Sequence, residues 1–563
     1  MIYSLKDFKH LNNTSLSLLQ AAKTLSDGDT LCLGGGVLEI DNSFATPEFF
    51  YFPRYSNDKK YYAVNIKNKK NITIDGEGAV LLLDGNVSAF GLENCENVTL
   101  KNFTIDYKTP CLIQGKILES NDKSIEVDFD ADTFEIKFDE QLKTLVFKSK
   151  DGNDSFTSDS FLLNEFDPTL KKPVPASHDY FLCVNKPHPV YTSMSVCVDT
   201  EVVGKGKLRF TFKEKSVKHD VGNCIVGTIH ERRNNNIHLF KCKNVTLENI
   251  DMYSSLSFGV INLCGENLSV RNVNSVLKPN SNRLLGVVAD MFHCVNTRGK
   301  IDIHDCRVEN LMDDCVNIHS LLSVVKSRID KNTLLLHFTY LAKKAVNLYS
   351  RGEKIAVLHP ESFEKVCELT VKNSEYMGDY HLCVSFDENV ENVPEGYILE
   401  SQDAKPEVYI SGCSVGNNRG RGFLVPCGRK TVVENNTFYN TREGVAVNGS
   451  SKTYLEGSAV TDLTVRNNDF INCSYNNKNY VICINPINLT QVNTPYHRNI
   501  KIYGNTFGKN AQRMVFIRAA ENVKIRDNFS NDGKVLDETN KKAFVFEDCK
   551  NADLSLNEKV KLG

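Results

Sequence analysis

A short unit recurs along most of the chain and limits the folds that the sequence can adopt. The unit reads Asn, branched apolar residue, Thr or Lys, branched apolar residue, any residue, then Asn, Asp or Gly. Copies or close variants begin at Asn71, Asn97, Asn244, Asn267, Lys300, Thr431, Leu463, Asn499 and Asn522. Asn244 and Asn267 are 23 residues apart, which is the commonest step between copies. A fixed period of this length indicates a solenoid.

Within each unit, apolar residues alternate with polar ones, which is the period-2 pattern of a strand with one buried face. Several short strands per turn of the solenoid predict an all-β fold, a right-handed parallel β-helix whose rungs stack about 4.8 Å apart. The Asn after each strand is expected to turn the corner and to hydrogen-bond its equivalents on the rungs above and below. These predicted ladder residues are Asn102, Asn249, Asn272, Asn435 and Asn467.

Two long intervals lack the repeat but contain strand-like runs, so they are interpreted as inserted β-barrel-like modules. The predicted organisation is N-terminal rungs over 1–108, a first module over 109–222, central rungs over 223–320, a second module over 321–405 and C-terminal rungs over 406–563.

Composition excludes several classes of partner. The net charge of −3 over 563 residues gives no electrostatic case for nucleic acid or an anionic membrane. The first residues lack a basic-then-apolar signal, and no run approaches the roughly 20 apolar residues of a membrane-spanning helix. The chain as written is therefore expected to be cytoplasmic, or extracellular or periplasmic if a leader has been removed.

Eighteen cysteines are distributed along the repeat rather than in a compact framework. Several occupy positions where a small apolar side chain belongs, including Cys95, Cys242, Cys306 and Cys413, so we expect buried thiols. Cys294, Cys306 and Cys315 bracket two histidines, but no C-x-x-C pair is present. We predict no metal site and no cofactor.

One aspartate stands one repeat before a pair of adjacent aspartates, Asp313 and Asp314. Asp290 and Asp314 are separated by 24 residues, so they should occupy the same position on adjacent rungs. Asp313 and Asp314 cannot both face outward from a regular strand, so the pair should lie at a strand end or a bulge. Crowded carboxylates raise one another's pKa, which suits a general acid. Glycoside hydrolysis uses such pairs, whereas paired acids also cap turns and bind structural cations.

The block around these aspartates resembles glycoside hydrolase family 110. The matching residues are Ala289-Asp290 with His293, Arg298 to Ile301, Asp313-Asp314-Cys315-Val316-Asn317-Ile318-His319, and further segments at Asn417 to Gly422, Glu434 to Phe438 and Tyr454 to Gly457. The resemblance implies an inverting, exo-acting α-1,3-galactosidase on a parallel β-helix with inserted barrels. Its partner would be an oligosaccharide or glycoconjugate with terminal α-galactose, and acceptance of blood-group B epitopes is left open.

The resemblance also implies roles for individual residues. Asp313 would be the general acid, and Asp290 and Asp314 would share the general-base role on water. An inverting arrangement of this kind is expected to separate acid and base by about 6.5–9.5 Å. The candidate sugar contacts are Arg283, His293, Asn317, His319 and Arg421.

Two other functions fit parts of the sequence. Asp313 to Val316 also resembles polygalacturonases locally, but the Gly-His-Gly and Arg-Ile-Lys elements of those enzymes are missing here. Alternatively, the chain is a non-catalytic glycan-binding β-helix in which the aspartates are ladder residues.

Overall fold

The computed structural model describes residues 1–48, 60–129, 134–149, 155–174, 180–184, 186–188, 192–229, 234–338, 348–378, 380–452, 454–474, 478–492, 494–508, 512–530, 536 and 538–555. Over these residues the chain is built almost entirely of β-strands. Short 3-10 helices occur at Leu5–Leu11, Thr192–Met194 and Glu538–Ala543.

The N-terminal part combines the first rungs with one α-helix, which the sequence analysis did not predict. Helix α1 spans Thr14–Thr24, and its N-cap Asn13 accepts a hydrogen bond from the Leu16 backbone N–H at 2.8 Å. Its buried face, which includes Leu18 and Ala21, packs into the solenoid core. Strands β1 to β8 are Ile2–Ser4, Thr30–Cys32, Val37–Ile40, Thr46–Glu48, Lys60–Lys67, Thr73–Leu83, Ser88–Glu93 and Glu96–Tyr107.

The first inserted module forms a barrel. Its strands β9 to β19 are Leu112–Ser120, Ser124–Phe129, Phe134–Asp139, Thr144–Ser149, Ser155–Ser158, Ser160–Asp167, Lys172–Pro173, Tyr180–Val184, Ser195–Gly204, Lys207–Phe212 and Cys224–Ile229. Strand pairing runs from β14 through β16, β17, β18, β10 and β9 to β19, and β19 pairs back with β14. The ring of strands is therefore closed, and β11 to β13 form a separate three-stranded sheet.

The central rungs lead into the second module. Strands β20 to β27 are Ile237–Phe240, Lys243–Met252, Val260–Leu263, Glu266–Ser275, Phe292–Val295, Arg298–His304, Arg307–Glu309 and Val316–Leu321. Strands β28 to β33 then form a closed barrel: Ser323–Asp330, Thr333–His337, Lys354–Leu358, Lys365–Gly378, His381–Phe386 and Ile398–Ser401. The prediction of two barrel-like insertions is confirmed.

The C-terminal rungs continue the solenoid to the last described strand. Strands β34 to β50 are Glu407–Ser411, Ser414–Gly416, Arg421–Leu424, Gly428–Glu434, Thr437–Tyr439, Glu443–Val447, Glu456–Gly457, Val460–Arg466, Asp469–Ile471, Ile482–Ile484, His497–Tyr503, Thr506–Phe507, Val515–Arg518, Ala520–Arg526, Phe529–Ser530, Phe544–Glu547 and Lys550–Ser555. One long sheet stacks β5, β7, β20, β22, β24, β27, β36, β39, β43, β46 and β49 in parallel. This stacking of successive rungs confirms the parallel β-helix.

Asparagine ladders hold the corners, but not always at the predicted residue. In the first half, Asn272 donates to Asn249 and Asn249 to Asn102, as expected. These residues adopt φ of 49 to 61°, a left-handed conformation that Asn tolerates better than most side chains. In the second half, Asn435 and Asn467 have the same left-handed backbone. There a buried side-chain ladder is formed by the residue that follows each corner: Asn436, Asn468, Asn505 and Asn528.

The cysteines are free thiols, and Cys95, Cys242, Cys306 and Cys413 are buried as predicted. Cys95 and Cys242 each stand two residues after the end of the neighbouring strands β7 and β20, so the two thiols occupy equivalent positions on successive rungs. In the described part of the chain, no helix is both long and apolar enough to cross a membrane.

Candidate active site

The three aspartates lie at the entrances to two stacked strands. Strand β24 pairs with β27 in the register Phe292 to Val316, so Asp290 and Asp314 each stand two residues before their strand. Asp313 and Asp314 occupy a bend that precedes β27, which confirms that the pair lies at a strand end. The Asp314 backbone N–H donates to Asp290 Oδ1 at 3.2 Å. The repeat thus places all three residues, hereafter the carboxylate trio, on adjacent rungs.

One oxygen from each member of the trio lies within 4.8 Å of the others. Asp290 and Asp314 are only 3% and 1% exposed, whereas Asp313 is half-buried. The limit of 4.8 Å applies to the nearest oxygens, whereas the expected distance of about 6.5–9.5 Å is between the acid and base carboxyl groups and stays a prediction. The two strand entrances are hydrogen-bonded to each other, which holds the carboxylates close together.

Arg421 supplies the countercharge on the next rung. Its backbone N–H and its Nε–H both donate to Asp314 Oδ1, each at 2.8 Å. Burial raises the pKa of Asp314 to about 6, with Asp313 and Asp290 adding to the rise and Arg421 opposing it. Burial is the main cause of this rise in pKa, and the crowding of carboxylates that the sequence predicted adds to it.

A glycine allows this close approach. A Cβ on Gly420 would lie 2.5 Å from the Asp313 carbonyl carbon and 2.8 Å from the Asp314 backbone nitrogen. Only a residue without a side chain fits beside this peptide. Asn418 completes the support, since its Nδ2 donates to the carbonyl oxygens of Asp313 and Arg421 at 3.1 and 2.8 Å.

Asp290 is held by two of the predicted sugar contacts. Its Oδ2 lies 2.5 Å from His293 Nδ1 and accepts a hydrogen bond from Asn317 Nδ2 at 3.3 Å. His293 Nε2 in turn faces His319 Nε2 at 3.4 Å. The structure therefore brings His293, Asn317 and His319 together around the trio.

Arg283 differs from the other candidates. Its guanidinium donates to Asp106 Oδ1 at 2.6 Å and to the Tyr107 carbonyl oxygen at 3.2 Å. These contacts tie the segment before Asp290 to strand β8. A sugar-binding role for Arg283 stays a prediction.

Two acidic residues near the site were not singled out from the sequence. Glu456 Oε1 lies 3.7 Å from His319 Nε2, and Glu443 pairs in register with Arg421. Both side chains are buried. Glu456 arrives on β40, which runs antiparallel to β27 and has no counterpart in the repeat. The sequence could have indicated Glu443 as a site residue, because it lies one rung after Arg421 in the repeat.

Both inserted barrels pack beside the rungs that carry the trio. Apolar residues of the first barrel form one cluster with residues that flank the aspartates: Leu112, Phe166, Val226, Leu284, Leu285, Val288 and Met312. The second barrel begins directly after β27, and its core includes Leu263 and Val295 of the solenoid. The trio is therefore flanked by both modules rather than displayed on an open sheet.

The fold and site define a parallel β-helix protein with a carboxylate trio of two buried members and one half-buried member, an arrangement suited to acid–base chemistry. No family model matches the chain. An α-1,3-galactosidase B of Bacteroides thetaiotaomicron is 25% identical over 547 residues, covering 94% of this chain and 85% of that protein. An α-1,3-galactosidase A of Bacteroides fragilis is 27% identical over 466 residues, covering 81% and 73%. The chain is thus homologous to α-1,3-galactosidases over most of its length.

Among solved structures, a family 28 exopolygalacturonase of Yersinia enterocolitica aligns with 99% of this chain and 79% of its own. The TM-score is 0.38 and the sequence identity 9%.

Proposed function

We propose that the protein is an exo-acting α-1,3-galactosidase that releases terminal galactose from glycans with inversion. The observation that carries this proposal is the convergence of Asp290, Asp313 and Asp314 on adjacent rungs. Homology to α-1,3-galactosidases over most of the chain supports the substrate class.

Asp313 is the proposed general acid. It is the one half-buried member of the trio, so its carboxyl group is the one that a leaving oxygen can reach. The fixed carboxylates beside it favour a proton on the trio. In the proposed step, Asp313 gives this proton to the glycosidic oxygen as the bond from that oxygen to the anomeric carbon breaks.

Asp290 and Asp314 are the proposed bases. Asp290 is fixed by His293 and Asn317, and Asp314 is fixed by Arg421. Two acceptors held in this way orient a water for attack on the anomeric carbon, and its proton passes to one of them. The bond forms on the face opposite the leaving group, so the first product is β-galactose.

The exo mode is supported by the two barrels beside the trio. Apolar packing joins the first barrel to the residues around Asp290 and Asp313, and only Leu322 separates β27 from the second barrel. Such walls suit a pocket for a terminal sugar better than an open groove for a polymer.

A substrate panel tests the proposal. The purified protein is incubated with a linear galactose-α-1,3-galactose disaccharide, a blood-group B trisaccharide, α-1,4- and α-1,6-galactosides, and polygalacturonate. We expect galactose from α-1,3-linked substrates alone. Release of galacturonate only would show a polygalacturonase, and no sugar from any substrate would favour a glycan-binding protein.

Variants and stereochemistry test the mechanism. Asp313→Asn keeps the shape of the side chain and removes the proton, so turnover should fall by about 100-fold or more. The matched control is Asp302→Asn on β25, whose side chain pairs with His304 away from the trio. Proton NMR in the first minutes should show β-galactose. Initial α-galactose would mean that one aspartate acts as a nucleophile.

A further inference from the structure

Two imidazoles face each other beside Asp290 through the same ring nitrogen. His293 and His319 lie diagonally on neighbouring strands β24 and β27, and their Nε2 atoms are 3.4 Å apart. The rings are nearly perpendicular, with centroids 5.2 Å apart. Both side chains are buried.

The outer nitrogens of both rings face acceptors. His293 Nδ1 lies 2.5 Å from Asp290 Oδ2, and His319 Nδ1 lies 3.0 Å from the Ser320 carbonyl oxygen. The Ser320 carbonyl oxygen only accepts, and so does Asp290 when it is ionised for its proposed role as a base, so each Nδ1 then carries the hydrogen that it donates. In two neutral rings both Nε2 atoms would then present lone pairs to each other, which is repulsive. One additional proton between them turns the repulsion into a hydrogen bond.

Two buried carboxylates lie beside this pair. Asp290 contacts the outer nitrogen of His293, and Glu456 Oε1 lies 3.7 Å from Nε2 of His319, the nitrogen that faces His293. Buried negative charges are costly without a countercharge, and a positive charge on the imidazole pair serves both carboxylates.

We propose that His293 and His319 share one proton in the presence of the Asp290 and Glu456 carboxylates, and that this pair is a positioning element that keeps Asp290 ionised. This inference rests on the proposed function for the role of Asp290 as a base. In this role, His293 and His319 orient a carboxylate instead of binding the sugar.

The charge balance includes the remaining groups of the site. The titratable and charged groups around the pair are Asp290, Asp313 and Asp314 at the strand entrances, Arg421 on β36, Glu443 on β39 and Glu456 on β40. Arg421 lies against Asp314, whereas His293 lies directly against Asp290, so a positive charge on the histidine pair acts on Asp290. Loss of the shared proton at alkaline pH should therefore weaken the hold on Asp290 and lower activity.

The shared proton is tested by NMR without reference to activity. Full-length protein labelled with ¹⁵N-histidine is titrated from pH 5 to 9, and resonances are assigned with His293→Gln and His319→Gln. His238 and His497 serve as internal references for a neutral ring, because burial lowers the pKa of each to about 3. We expect one imidazolium in the His293–His319 pair above pH 7. Two neutral rings throughout the titration would overturn the proposal.

The positioning role is tested by the pH profile of kcat/KM. Glu456→Gln removes one countercharge, which should lower the pKa of the pair and move the alkaline limb down by roughly 1 to 3 pH units. The matched control is Glu165→Gln, which breaks a buried Glu–His pair in the first barrel, where Glu165 lies 2.7 Å from His219. Coincident profiles for the two variants would overturn the role of the pair. Absence of galactose release from the unmodified protein would overturn the proposed function instead, and the NMR result would still decide the shared proton.

Discussion

Replacing Gly420 by alanine tests whether the position of the Asp313–Asp314 peptide limits the reaction. The new Cβ would lie 2.5 Å from the Asp313 carbonyl carbon, 2.6 Å from its oxygen and 2.8 Å from the Asp314 nitrogen. Ordinary contact begins at 3.4 Å, so the shortfall at the carbonyl carbon is 0.9 Å. All three atoms belong to the backbone, and no flexible side chain can give way.

The peptide must therefore move by close to 1 Å, and the two carboxylates move with it. A misplacement of this size costs roughly 100-fold in rate when reacting groups must be aligned. We expect kcat/KM on an α-1,3-linked galactoside to fall by about that factor. Overpacking also lowers the free energy of unfolding by about 1–3 kcal/mol, measured by urea denaturation.

A second glycine separates the catalytic effect from the loss of stability. A Cβ on Gly76 would lie 2.3 Å from the Asn102 carbonyl oxygen, on a rung remote in sequence from the trio. Gly76→Ala should therefore lose similar stability and keep its activity at temperatures where it is folded. Equal activity of the two folded variants would refute the link between the peptide position and turnover.

Three further outcomes follow from the site and the ladders. Arg421→Lys keeps the positive charge but loses the fixed Nε contact with Asp314. The pKa of Asp314 should then rise above about 6, and the acidic limb of the kcat/KM profile should move to higher pH. Burial raises the pKa of Asp314, so the folded protein binds a proton more tightly than the unfolded chain. The free energy of unfolding should therefore fall as pH rises from about 4 to 6. Urea titrations should show that Asp314→Asn flattens this dependence on pH. Asn468→Ala removes the buried amide between Asn436 and Asn505. The free energy of unfolding should fall by roughly 1–3 kcal/mol for each partner left unsatisfied. Asn522→Ala on the exposed ladder should lower it by less.

The solenoid was predictable because its signals are local. Alternation of apolar and polar residues needs only a few neighbours, and the spacing of Asn244 and Asn267 reports the length of one turn. The ladder position was less predictable in the second half. Asn435 and Asn436 are adjacent, and the backbone conformation decides which one turns inward to bond Asn468.

The site was predictable where it follows the repeat. The 24-residue step from Asp290 to Asp314 places them on adjacent rungs, and Arg421 lies on the next rung after the second module. The contact between His293 and His319 was not predictable, because it depends on a diagonal approach across two strands. Glu456 was also missed as a site residue, since its antiparallel strand lies outside the period.

Each inserted barrel is closed by its own first and last strands. In the first, Leu112 of β9 pairs with Thr228 of β19; in the second, Ser323 of β28 pairs with Leu399 of β33. The chain therefore leaves and re-enters the solenoid at nearly the same point. An insertion of this kind disturbs the stacking of the rungs no more than a short loop would, whatever its length. Evolution can then enlarge, shrink or exchange a barrel, and with it the surroundings of the substrate, without moving the aspartates out of register.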